Sequence, residues 1–72
     1  MPALPTLSGR EVVRAFSSDG WGMVRQRGSH MILVKDGEMA TPDHKEVAKG
    51  TLRSLVRSSG LTLEEFVALA GK

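Results

Sequence analysis

Two turn dipeptides, Gly28-Ser29 and Asp36-Gly37, constrain this chain more than any other feature. A two-residue loop with glycine first suits a type II′ hairpin turn, whose first central position needs φ > 0, and Asp-Gly suits a type I′ turn. The flanking segments have strand character: Trp21 to Arg27, His30 to Lys35, and a short run from Glu38 to Thr41. Proline has no N–H to give a ladder, so Pro42 ends the third. The expectation is a three-stranded antiparallel meander. Its apolar residues fall into two alternating sets, Met23, Ile32, Val34 and Met39 on one face and Val24, Met31, Leu33 and Ala40 on the other. Both are apolar enough to pack on helices, and the pattern leaves that choice open.

Helices flank the meander. Ser8 precedes Glu11 by three residues, the spacing of a capping box, with Leu7 and Val12 placed for a hydrophobic staple. Val12, Val13, Ala15 and Phe16 give one helical face and Gly20 a natural stop, which predicts a helix over 9–18. Beyond Pro42-Asp43-His44, the segment Gly50 to Ser59 puts Leu52, Leu55 and Val56 on one face and stops at Gly60. Thr62 and Glu65 repeat the box, with Leu61 and Phe66 as its staple, and open a short helix to about Ala70. The fold class expected is α+β in the order α-β-β-β-α-α, one domain over residues 1–72 without repeats or linkers.

Composition narrows the function classes. With 40% hydrophobic and 25% charged residues in 72, the chain is a small globular domain and not a disordered one. It has no cysteine, so disulfide frameworks, zinc knuckles and thiolate nucleophiles are excluded. The longest apolar run, Met31 to Val34, is far below the roughly 18 residues of a membrane span. No charged segment followed by an apolar one opens the chain, so a cytoplasmic location is expected.

The net charge of +2 conceals a patterned distribution. Residues 1–35 carry five basic and two acidic side chains, 36–46 one and four, 47–60 three and none, and 61–72 one and two. Two basic blocks separated by an acidic loop would suit a polyanion if the fold joined them. The hairpin sharpens this. With Gly28-Ser29 as its turn, Arg27 lies opposite His30, Arg25 opposite Ile32 and Met23 opposite Val34. Imidazole gives and takes a proton near neutrality, and guanidinium groups grip phosphate bidentately, so Arg25, Arg27 and His30 form a candidate centre for phosphodiester chemistry. Lys49, Arg53 and Arg57 recur at i, i+4 and i+8, either as a track for backbone phosphates or as the solvent face opposite Leu52, Leu55 and Val56. His44 is a candidate second acid–base group or metal ligand, although two histidines without clustered partners make a poor metal site. Trp21 suits either base stacking or the core.

Several blocks together resemble the HicA toxins. They are Leu7-Ser8-Gly9 with Glu11-Val12-Val13, then Arg25-Gln26-Arg27-Gly28-Ser29-His30, then Pro42-Asp43-His44-Lys45-Glu46. Lys49-Gly50-Thr51-Leu52-Arg53-Ser54-Leu55, Gly60-Leu61 and Glu65-Phe66 complete the set, which runs from about Leu4 to Leu69. The chain departs from the family at Trp21, where phenylalanine is more usual, and in a short stretch from Gly37 to Pro42. The resemblance implies a double-stranded-RNA-binding-like α-β-β-β-α fold, a three-stranded antiparallel sheet with helices on one face, here with a short extra C-terminal helix. It implies the toxin of a type II toxin–antitoxin system, a ribosome-independent mRNA interferase neutralised by a HicB antitoxin. The family's catalytic histidine carries over to His30, with Gly28 shaping its turn. Arg25, Arg27, Ser29, Lys49, Arg53 and Arg57 are the candidate RNA-binding groups. The expected partners are single-stranded RNA and HicB, with no membrane and no small-molecule cofactor, and metal-independent cleavage is the simplest chemistry. The competing readings are a non-catalytic RNA-binding module of the same fold and a pure interaction protein.

Overall fold

The computed structural model describes residues 3–71. Its elements are α1 (Gly9–Ser18), β1 (Gly22–Arg27), β2 (His30–Val34), β3 (Glu38–Pro42), α2 (Lys49–Ser59) and α3 (Leu63–Ala70), the α-β-β-β-α order with one added helix. Both capping boxes close. At α1, Glu11 N donates to Ser8 Oγ (3.1 Å) and Ser8 N to Glu11 Oε1 (2.9 Å). At α3, Glu65 N donates to Thr62 Oγ1 (3.1 Å) and Thr62 N to Glu65 Oε1 (2.9 Å). The end of α1 is a Schellman motif: Trp21 N donates to Phe16 O (3.1 Å) and Gly20 N to Ser17 O (3.0 Å).

The strands form a meander in the order β1-β2-β3, with the helical layer against one face: α1 and α2 contact the strands, and α3 packs on α1 and α2. Met31 and Leu33 point toward the helices, and Met39 and Thr41 of β3 stand opposite Leu33 and Met31 on that same face. Leu33 and Met39 join Val12, Phe16, Leu52 and Phe66 in the core. Phe16 lies at its centre, edge-on to Trp21 (centroids 6.4 Å apart) and tilted against Phe66 (5.1 Å). Trp21 is therefore a core residue.

Two register expectations are corrected. Asp36-Gly37 is not a type I′ turn, because neither residue has a positive φ. The connection is instead the three residues Lys35-Asp36-Gly37, closed by Lys35 N donating to Gly37 O (3.1 Å), so β2 ends at Val34 and Val34 pairs with Glu38. One extra loop residue exchanges the faces of β3: Met39 joins Met31 and Leu33, and Ala40 joins Ile32 and Val34. Burial decides the outcome. Met39 becomes buried while the smaller Ala40 is left exposed, and a fully buried Met side chain contributes about 1.5–3 kcal/mol. The second correction is a bulge between Met23 and Arg25, which pairs Met23 with Leu33 and Gly22 with Val34.

Candidate functional site on the open sheet face

The face turned away from the helices carries Arg25 and Arg27 of β1, His30, Ile32 and Val34 of β2, and Glu38, Ala40 and Pro42 of β3. The β1–β2 turn organises it. Gly28 has φ +58° and Ser29 does not have a positive φ, the distribution a type II′ turn requires. A Cβ at Gly28 would meet nothing within 4 Å, so glycine is needed there for backbone conformation and not for space. The turn sets His30 directly opposite Arg27, and cross-strand partners hold their Cβ atoms roughly 4.5–5.5 Å apart.

Both side chains are exposed, and among the described residues neither makes a side-chain hydrogen bond or ion pair. Arg25 differs. Its guanidinium reaches across β2 to Glu38 Oε2 at 3.4 Å, with both side chains about half exposed (47% and 58%). Exposed pairs of this kind contribute roughly 0–1 kcal/mol, so an arriving anion competes for Arg25 at small cost. An imidazole so exposed can transfer a proton, and a guanidinium beside it can hold an anionic oxygen.

The turn is braced from behind. Asp43 N donates to Ser29 O at 2.7 Å, continuing the β2–β3 pairing one residue past Pro42. Gln26 Nε2 donates to Asp43 Oδ2 (3.1 Å) and to Gly28 O (3.3 Å), and Arg10 of α1 approaches the same carboxylate at 3.5 Å. Gly9 N donates to His44 O (2.8 Å), and a Cβ on Gly9 would collide with the Pro42 carbonyl oxygen. The first turn of α1, the exit of β3 and the β1–β2 turn are therefore tied together by hydrogen bonds. Sequence reasoning missed Gly9, Gln26 and Asp43 as supporting residues. They were visible only as members of the motif blocks, because their partners lie far away in the chain.

The basic stripe of α2 does not join this cluster. Lys49 Nζ donates to Leu4 O (2.9 Å) and Thr6 Oγ1 (3.3 Å), tying the N-terminal segment onto the helix. Arg53 and Arg57 are exposed and rim a cavity of about 320 Å³ floored by Val56, Leu61 and Leu63. Arg57 also borders a depression shared with Lys35, Asp36 and Gly37, at the opposite end of the sheet from His30. Arg25 and Arg27 thus lie on the sheet, and Arg53 and Arg57 on the helical layer. Among the described residues, no group of three or more His, Asp or Glu side chains is arranged to hold a metal ion, and no helix is long and apolar enough to cross a membrane.

A family model described as the HicA toxin of bacterial toxin–antitoxin systems matches residues 9–61, from the first residue of α1 to the residue after Gly60. No curated protein and no solved structure matches the chain.

Proposed function

The chain belongs to the HicA toxins of bacterial toxin–antitoxin systems, and from that premise we propose that it acts as an endoribonuclease, an mRNA interferase whose substrate lies across the open sheet face. The observation that carries this reading is the pairing of an exposed His30 with an exposed Arg27 at a glycine-shaped turn, both side chains without a partner among the described residues. In the reaction, the ribose 2′-oxygen attacks the adjacent phosphorus and the 5′-oxygen leaves. His30 transfers a proton at one of those two oxygens, a contribution of roughly 10²- to 10⁴-fold. Arg27 sits where it stabilises charge on the phosphoryl oxygens, and Arg25 does so once it releases Glu38. The Ser29 hydroxyl, in the turn itself, is a further donor to phosphate. Arg53 and Arg57 belong to a second surface, where they attract the backbone of a longer RNA without touching the scissile bond. Lys49 serves the fold.

The antitoxin partner, a HicB protein on this reading, covers the same face. Met23 (46% exposed) and Val24 (55%) stand out at the bulge of edge strand β1, and Val34 (37%) lies on the open face itself. Apolar side chains beside Arg27, and beside an Arg25 held only by the exposed Glu38, fit a partner that brings both apolar and acidic groups. Occupying the phosphate site is sufficient for inhibition.

The direct test is incubation of the purified protein with single-stranded RNA in the absence of added metal. Cleavage with 5′-hydroxyl products supports the proposal. RNA binding without cleavage would instead favour a non-catalytic module built on the same sheet.

A further inference from the structure

We propose that His44 is the second acid–base group of this reaction, acting with His30 across the end of the sheet; this rests on the endoribonuclease reading above. The placement follows from the ladder. His30 pairs with Pro42, and the Asp43 N to Ser29 O bond of 2.7 Å carries the pairing one step further. Side chains alternate along such a ladder. Thr41 is buried on the helix side and Pro42 is on the side of His30. Asp43 turns back toward the helices, where its carboxylate meets Gln26 and Arg10 of α1. β3 ends at Pro42, and carrying its alternation on through Asp43 assigns His44 to the face of His30. That makes it the diagonal neighbour of His30, and ladder spacing sets such neighbours roughly 7–8 Å apart, somewhat less between Cβ atoms, a separation that leaves room for one phosphodiester between two imidazoles.

The backbone of His44 is fixed while its side chain is left available. Its carbonyl accepts from Gly9 N at 2.8 Å, at the one point where α1 approaches too closely for any residue but glycine. The imidazole is exposed and has no side-chain partner among the described residues. Arg27 lies opposite His30, on the side away from β3, and on this proposal its guanidinium reaches over His30 to a phosphate set between the two histidines.

Two such groups complete the proton balance of the cleavage. A neutral imidazole takes the proton of the 2′-hydroxyl as the O2′–P bond forms. The other, protonated, gives its proton to the 5′-oxygen as the P–O5′ bond breaks. The products are a 2′,3′-cyclic phosphate and a 5′-hydroxyl, and the two imidazoles regain their starting states by exchange with water. No other reactant is needed.

The test compares wild type, His30→Ala and His44→Ala on two RNAs of one sequence, one ordinary and one with sulfur replacing the bridging 5′-oxygen at the cleavage site. A thiolate leaves without protonation, so loss of the general acid matters little for the sulfur substrate. The expected result is a fall on the order of 10²- to 10⁴-fold for each variant on ordinary RNA, with one of the two variants recovering most of its rate on the sulfur substrate. Thermal midpoints are measured alongside, and His44→Gln replaces the alanine variant if the latter does not fold. Wild-type cleavage of ordinary RNA by His44→Ala would overturn the pair, as would equal losses on both substrates for both variants. Absence of cleavage by the wild-type protein on either RNA would overturn the endoribonuclease reading itself.

Discussion

Replacing Gly9 by alanine tests the coupling of α1 to the candidate site. The added Cβ would collide with the Pro42 carbonyl oxygen and sit 3.0 Å from both the Pro42 carbonyl carbon and Asp43 Cα. All three are backbone atoms, so no side-chain rotation relieves the clash. Overpacking of this kind costs about 1–3 kcal/mol, and displacing the Gly9 N to His44 O bond costs about 1 kcal/mol more. Against this, alanine lowers the entropy of the unfolded chain and recovers about 0.4–1 kcal/mol. The net expectation is a loss of about 2–3 kcal/mol, or roughly 10–20 °C in Tm for a domain of this size. Gly50→Ala is the matched control, since its Cβ would meet nothing within 4 Å and its φ is not positive. That variant should gain about 0.4–1 kcal/mol by the same entropic term. Urea unfolding of both variants decides the matter. A Gly9→Ala protein as stable as wild type, or two variants shifted in the same direction, would refute the close approach and the bracing of the turn by α1.

Three further outcomes follow from the placement of the charged and apolar groups. Lys49→Met should lower stability by about 1 kcal/mol, read by urea unfolding, because the ammonium hydrogen-bonds Leu4 O and Thr6 Oγ1. Neutralising Arg53 or Arg57 should leave stability unchanged and lower the salt slope of single-stranded RNA binding by about 0.7 for each phosphate no longer neutralised, equally for all sequences. Co-purification with the partner protein should protect the amides of residues 25–34 from hydrogen exchange, whereas protection confined to α3 would contradict occlusion of the open face.

Local chemistry made much of this fold legible in the sequence. Ser8, Glu11, Thr62 and Glu65 announce their helices because a capping box is satisfied within four residues. Gly28-Ser29 announces its hairpin because one positive φ suffices, and with it comes the juxtaposition of Arg27 and His30. Asp36-Gly37 misled for the complementary reason. The turn preference of a dipeptide is weaker than the burial of Met39 beside Leu33, and only the assembled core reports that burial. The bulge near Val24 has no local signature in the strand. The role of Lys49 was hidden in the same way: its i, i+4, i+8 spacing marks a helix face, but its partners are Leu4 and Thr6, more than forty residues earlier. Long-range partners likewise concealed Gly9 and Asp43.

Whether the open-face histidine performs the chemistry is tested most directly by the rate of RNA cleavage by His30→Ala against wild type. The imidazole is exposed and unpartnered among the described residues, so the substitution should leave stability within about 1 kcal/mol. Cleavage should fall on the order of 10²- to 10⁴-fold. A folded His30→Ala protein that cleaves RNA at the wild-type rate would contradict the assignment.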